Sequence, residues 1–445
     1  MMMNFVDRVL NAPKSYFPVW NLLDTDGYKI TMLYYIWKYY RDVKVVFELI
    51  NRDKHIPVAE VVDEWELRAA LNHMLDLRLT RTEMTLINGT NVYHQRMFPD
   101  EFITFLANFR LGPYELSREG NQYHLRFPAD WPYASMWEIY AMAIVMDLYF
   151  FSLERRMSRS ELTEVYARAV VRHYDELRAI KANPNIMLIE GGTRRRHNYD
   201  WHKFTLEAGR EILGQQLTGT SNLRLAFKYD MEWKGTSGHE LQMVTNALVD
   251  DPKEKIAMQY KVCAEWQSLY GPGLRVMLPD TFMSDQFFRN APDDLLRDWA
   301  ASRQDSGDPF KYGDEIVIPE YTKRGIDPCS KIIIFSDGNK AKIMDEIERH
   351  FHGRGISRFL QGTFFTNNFG GLHPNPDACV PGLAPLTWKE VYKPFSLVCK
   401  VVEASGRPCV KLSDNPAKAT GPKKAVEESL AVFGADHRVL QEVLV

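Results

Sequence analysis

The sequence predicts an α/β protein of parallel strands covered by helices, in its barrel form, flanked by mixed α+β segments. Three observations carry this prediction. Short apolar runs recur after Pro184, at Ile186–Ile189, Leu274–Leu278, Ile332–Phe335 and Ile356–Leu360, each followed by a polar turn and a helix-like stretch. Repeated strand–loop–helix units imply parallel strands. Unusual polar residues cluster just after these runs, where the loops of a barrel carry its site. At 445 residues, 45% hydrophobic and 25% charged, the chain can bury a large core.

Taken in order, residues 1–136 read as an α+β segment in which Val45–Ile50 and Gln122–Phe127 have strand character. From 137 the pattern turns helical. Ser158 and Glu161 have capping-box spacing, and the helix they open carries Leu162, Val165, Tyr166, Ala169 and Val170. Residues 137–373 hold the repeated units, including a helix with Ile343, Met344, Ile347 and Phe351 on one side. Residues 374–445 begin with a proline-rich connection. A hairpin of Ser396–Val402 and Cys409–Leu412 around Ser405-Gly406 follows, then a polar, partly helical tail.

Composition excludes several classes. A net charge of −3 argues against nucleic acid as a partner, so any anionic ligand must be held by local basic residues. Five cysteines without a CxxC pair fit a reduced protein with no zinc site. The longest apolar run, around Tyr140 to Phe151, is broken by Asp147 and reads as too short for a membrane span. The first residues lack the charged-then-apolar order of a signal. The expectation is a cytoplasmic protein with no membrane partner.

Four stretches concentrate chemistry. Glu190–Asp200, "EGGTRRRHNYD", puts two glycines and three arginines after a strand. Glycines let the backbone approach a ligand closely and arginines suit carboxylates and phosphates, while a solvated face is the alternative. Arg303–Asp308 joins a cation, two carboxylates and a glycine, a set fit for a phosphorylated sugar or for a plain turn. Gly235–Glu240 places His239 behind a glycine-bracketed turn and beside an acid able to fix its tautomer. A satisfied structural histidine is the competing reading. Gly219–Asn222 is a small-polar loop whose Ser221 or Asn222 could equally cap a helix.

Together these stretches resemble the nicotinate phosphoribosyltransferase family. The likeness runs from "LLDTDGYKITML" at residue 22 to "VKLSDNPAKATG" at 421, through "GTRRR", "GTSN", "GTSGHE", "LPDTF", "RQDSGDP" and "IIFSDG". It implies an irregular parallel α/β barrel with an additional α+β domain built from both chain ends, and a homodimer with shared active sites. The implied reaction joins nicotinate to phosphoribosyl diphosphate, with Mg²⁺ carried on substrate and ATP as co-substrate. It also implies roles for single residues. Tyr28 stacks on the base from the partner subunit, while Arg303 and Ser221 face the base carboxylate. Arg194 lies closest to diphosphate and base. Asp305 and Asp337 hold ribose hydroxyls, Asp280 lies near the histidine, and Gly362, Thr363 and Lys411 cradle the 5′-phosphate. Thr193, Arg195 and Gly338 complete the substrate-binding set. His239 is the residue phosphorylated by ATP.

The chain departs from the family pattern where Gly191 replaces the usual phenylalanine, where Phe359-Leu-Gln361 replaces a glycine-rich run, and at Met283. Two alternatives stand beside this reading: use of nicotinamide, whose enzymes carry an acid at the Ser221 position, and a non-catalytic nucleotide-binding homologue.

Overall fold

The computed structural model describes residues 2–12, 16–90, 96–235 and 237–434. The strands described there are β1 (Lys44–Asn51), β2 (Glu115–Glu119), β3 (Gln122–Asp130), β4 (Leu188–Glu190), β5 (Leu217–Thr220), β6 (Val276–Met277), β7 (Ala301–Gln304), β8 (Ile332–Phe335), β9 (Ile356–Gln361), β10 (Leu397–Ala404) and β11 (Arg407–Pro408). They form two sheets. One is six-stranded, ordered β5-β4-β9-β8-β7-β6, and every recorded pairing in it is parallel. Among the described residues no β5–β6 pairing closes the ring, which is the irregularity of this barrel. The four predicted apolar runs all supply strands, although the run at Leu274–Leu278 yields only Val276–Met277.

The other sheet is antiparallel, ordered β11-β10-β1-β3-β2. It draws β1 to β3 from the first part of the chain and the β10–β11 hairpin from the last. β1 alternates, burying Val45, Phe47, Leu49 and Asn51, as expected of a strand packed on one face. Its register opposes Glu48 to Lys400 and Leu49 to Cys399, which fixes the faces of β10.

Helix Trp137–Glu154 is buried along its whole length. The run Trp131–Glu154, 24 residues, does reach the length and hydropathy of a membrane span, contrary to the sequence reading, but it lies wholly inside the protein. Its buried acids are paired. Glu154 meets Arg8 at 3.1 Å and His197 at 2.7 Å, and Asp147 accepts from Tyr16 at 3.0 Å. The capping box at Ser158 and Glu161 forms as the spacing predicts, opening helix Arg159–Lys181.

A second, smaller core stands apart. Phe282, Val410, Leu412, Val426, Leu430 and Phe433 pack together, with Phe282 and Phe433 stacked at 4.3 Å. Helix Lys423–Phe433 thereby ties the strand-end turn of Asp280 to the segment carrying Lys411, and Leu412 N donates to Thr281 O at 2.8 Å.

Candidate active site

A cavity of about 330 Å³ opens at the carboxyl ends of β4, β8 and β9, facing β10 of the antiparallel sheet. Six cationic side chains line it (Arg52, Arg194, Arg195, Lys400, Lys411 and Lys418) against three carboxylates (Glu138, Asp305 and Asp337), so it favours anions although the chain is net negative. A smaller compartment of about 70 Å³ adjoins it. The two share Glu138, Gly191, Arg194, Asp305, Ser336, Leu360, Cys399 and Lys400, and the smaller adds Asp26, Tyr28, Ser221, His239 and Arg303.

The arginine turn is built from the end of β4. Buried Glu190 anchors it, accepting from Gly192 N and from Thr220 Oγ1. A Cβ on Gly192 would collide with Thr366, so the turn requires glycine there. The short 3₁₀ turn Thr193–Arg195 sends Arg194 and Arg195 to the cavity. Arg194 Nη1 donates to Glu138 Oε1 at 3.1 Å, and Arg195 Nε to Leu397 O at 3.0 Å. Burial, with Arg194 and Arg52 nearby, brings the Arg195 pKa down to about 10. Arg196 behaves differently from its neighbours: it is fully buried and forms a two-pronged pair with Asp24 at 2.7 Å per bond. Thr193 is buried outside both cavity linings and accepts from Asn222 Nδ2 at 3.3 Å, so it holds the turn.

His239 precedes helix Glu240–Ala247. Its Nδ1 lies 3.0 Å from Thr281 Oγ1, and its Nε2 lies 3.0 Å from Asp305 Oδ2 and 3.1 Å from Lys411 Nζ. Lys411 can only donate and a carboxylate can only accept, so these neighbours favour opposite tautomers. Burial, then the Lys411 ammonium, push the imidazole pKa down to about 4, which keeps it neutral. Glu240, the adjacent acid in sequence, does not set the tautomer. It turns away to Lys29 at 2.5 Å and to Trp131 and Ser135. Asp280 accepts from Ser306 Oγ at 2.7 Å and Lys411 Nζ at 2.9 Å. Burial alone would raise the Asp280 pKa, but Lys411 and His239 outweigh it and hold the carboxylate ionised. Burial likewise acts upward on Asp305, and Arg303 and His239 bring it well below the usual range.

Ligand atoms of His239, Asp280 and Asp305 lie within 4.8 Å of one another, a spacing that suits a cation. Lys411 already supplies one there. Lys411 was expected in the 5′-phosphate cradle; its ammonium instead bonds to His239 and Asp280, although the side chain still lines the larger compartment with Gly362 and Thr363.

In the smaller compartment Ser221 Oγ donates to Asp26 Oδ1 at 2.6 Å, and burial raises the pKa of that carboxyl. The helix cap falls to Asn222, which accepts from Leu225 N at 2.9 Å. Arg303 Nε lies 3.5 Å from Asp305 without a hydrogen bond, and its Nη1 reaches Ser237 O at 3.4 Å, so most of its fork is unused. Tyr28 lines this compartment in its own chain, beside Gly235 and Gly238. The space at Gly191 is taken by Leu360, not by a ring. Phe359 points the other way and is fully buried near Phe335.

On the larger side Asp337 pairs with Lys418 at 2.7 Å, Gly338 adopts a φ of +66°, and Gly362 and Thr363 open the short helix Thr363–Thr366. Sequence reasoning missed Arg52, Lys400, Lys418, Glu138 and Asp26. Lys400 has no hydrogen bond or ion pair among the described residues and lines both compartments. Burial lowers its pKa to about 8. Asp26 and Lys418 lay within stretches that carried the resemblance, whereas Lys400 lies on β10, and nothing in the local sequence tells which face of that strand is inward.

The nicotinate phosphoribosyltransferase (NAPRTase) family profile matches residues 186–437, and the profile of that family's N-terminal domain matches 23–146. The chain belongs to this family. It resembles the crystal structure of nicotinate phosphoribosyltransferase from Vibrio cholerae, with 27% identity, a TM-score of 0.81 and 98% of each chain covered. It also resembles the Porphyromonas gingivalis enzyme, with 25% identity, a TM-score of 0.77, 94% of this chain and all of that one covered. A Saccharomyces cerevisiae structure at 22% identity shares the fold, with a TM-score of 0.81 over 95% of this chain and all of its own. Arg194 and Arg195 of the arginine turn, His239, Arg303 and Asp305 all line these two adjoining compartments.

Proposed function

We propose that the protein transfers the phosphoribosyl group of phosphoribosyl diphosphate to the ring nitrogen of nicotinate. The products are nicotinate mononucleotide and diphosphate, as in salvage of pyridine for NAD. The observation that carries this reading is the division of one cavity into a cation-rich compartment and a smaller one with an aromatic ring and an underused arginine. The nitrogen attacks the anomeric carbon as diphosphate leaves, so the enzyme needs positioning and charge neutralisation more than a strong base. Arg194, Arg195 and Lys400 supply positive charge for diphosphate, Asp305 and Asp337 supply acceptors for ribose hydroxyls, and Arg303 pairs with the base carboxylate. Asp280 Oδ1, buried without a hydrogen bond, and Asp305 offer oxygen donors compatible with Mg²⁺ carried in on substrate, which would neutralise the leaving group.

His239 is assigned to ATP coupling. Its neutral Nε2 attacks the γ-phosphorus of ATP, an N–P bond forms as the bond to ADP breaks, and water later releases phosphate. Lys411 supports this by favouring the tautomer with a lone pair on Nε2. We propose that Tyr28 serves the compartment of its own chain, which it lines.

Nicotinamide is the second reading, favoured by one observation: Asp26 puts a carboxyl beside Ser221, where an amide could donate. Product detection with nicotinate, nicotinamide and quinolinate side by side, with and without ATP, decides between them. Nicotinate mononucleotide as the main product supports the first reading; nicotinamide mononucleotide as the main product, or no product, rejects it.

A further inference from the structure

Gly191 follows β4 at the seam of the two compartments, and an added Cβ there would lie 2.7, 3.0 and 3.3 Å from three side-chain atoms of Leu360. The two residues are neighbours across the paired strands, since Ile189 is opposite Leu360 and Gly191 N donates to Gln361 O at 2.9 Å. The absent side chain at 191 is thus what admits the Leu360 side chain to the cavity. Leu360 is only partly buried, in contrast with Phe359 and Gln361 on either side, which face the helix layer, Phe359 beside Phe335 and Gln361 donating to Glu176. It lines both compartments, and in the smaller one most other residues are charged or polar. A partly exposed leucine in such surroundings leaves apolar surface in water that a flat ring would cover.

We infer that Leu360 is a specificity-determining residue: an aliphatic wall that, with the Tyr28 ring, bounds the place of the heteroaromatic base. This rests on the proposed function and deepens it. Two aromatic walls favour offset stacking at a narrow spacing, whereas a leucine is compliant and reads apolar surface without reading ring electronics. The base bound here is therefore held by its carboxylate and its apolar faces, with little dependence on ring electron density.

The test uses the full chain and four variants: Leu360→Ala, Leu360→Met, Gly191→Phe and the Gly191→Phe/Leu360→Ala double substitution. Nicotinate and phosphoribosyl diphosphate are each titrated in steady-state assays, and nicotinate binding is measured by calorimetry. Leu360→Ala is expected to weaken nicotinate about tenfold while the KM for phosphoribosyl diphosphate stays within about twofold. Leu360→Met, close in volume and apolar, should stay within about threefold of the unaltered protein on nicotinate. Gly191→Phe should lose nicotinate binding by overlap with Leu360, and the double substitution should recover it, because the new ring then has the leucine's space. A Leu360→Ala protein whose nicotinate affinity is unmoved, or which loses both substrates in parallel, overturns the wall. So does a double substitution no better than Gly191→Phe alone. Failure of the unaltered protein to form nicotinate mononucleotide is a different result: it overturns the proposed function, and this inference with it.

Discussion

The two compartments of the cavity are made by different means. In the larger, positive charge is redundant, since Arg52, Arg194, Arg195, Lys400, Lys411 and Lys418 all face the same space. In the smaller, each function rests on one residue from a separate element. Tyr28 comes from helix Gly27–Tyr39, Ser221 follows β5, Arg303 lies on β7 and Leu360 on β9. The difference teaches where this fold is tolerant. A polyanion can be held by many cations of modest individual weight, whereas a small monoanion with one flat ring is recognised by a few groups, none of which has a substitute.

The largest expected effect lies at the histidine of the smaller compartment. His239→Asn should abolish ATP hydrolysis and the acid-labile, base-stable phosphate label left by ATP and Mg²⁺, yet leave slow phosphoribosyl transfer without ATP. Transfer and hydrolysis falling in parallel, with a lower melting temperature, would return His239 to a structural role. The next effect separates the compartments. Arg303→Ala should raise the nicotinate KM roughly thirtyfold, from about 2 kcal/mol for a charged hydrogen bond, and leave phosphoribosyl diphosphate nearly unchanged. In the larger compartment, Lys418→Ala should raise the KM for phosphoribosyl diphosphate only about threefold, as expected of one partly exposed cation among several. Equal effects on both substrates from either change would break the comparison.

The smallest effect is one of pH. His239 is neutral above about pH 4 because burial and Lys411 both disfavour its cation. Lys411→Met removes the ammonium and leaves Asp280 and Asp305, so the imidazole pKa rises and the charged, non-nucleophilic form gains population as pH falls. ATP hydrolysis by the variant should therefore begin to decline at a pH above about 4, with burial still holding the imidazole below its ordinary value. The unaltered protein should hold its rate to a lower pH, and identical acid limbs would exclude Lys411 as the cause.

Much of the fold could be read from sequence because apolar runs closed by polar turns are local signals. β8 begins and ends as expected, and β4 and β9 are displaced by at most two residues. Strands β5 and β7 were not foreseen, since Leu217–Thr220 and Ala301–Gln304 are short and half polar, and their burial comes from neighbouring strands. The same holds within the site. The arginine turn, His239 and Asp305 stand in conspicuous motifs, and the structure gathers them. Arg52 and Lys400 sit beside strands whose inward face is fixed only by the β1–β10 register, so nothing local marks them. Glu240 misled for the converse reason: adjacency along the chain at a helix start places two side chains on different faces.

The central claim is that one chain carries both compartments, Tyr28 included. The direct test mixes Tyr28→Ala chains with Asp305→Ala chains, each inactive alone and differently tagged so that association is followed. A site complete within one chain predicts no recovery at any ratio, even in tagged mixed assemblies. Recovery toward roughly a quarter of normal activity, the share expected when half the chains of a two-fold dimer meet the complementary variant and one site of each such pair is intact, would contradict it.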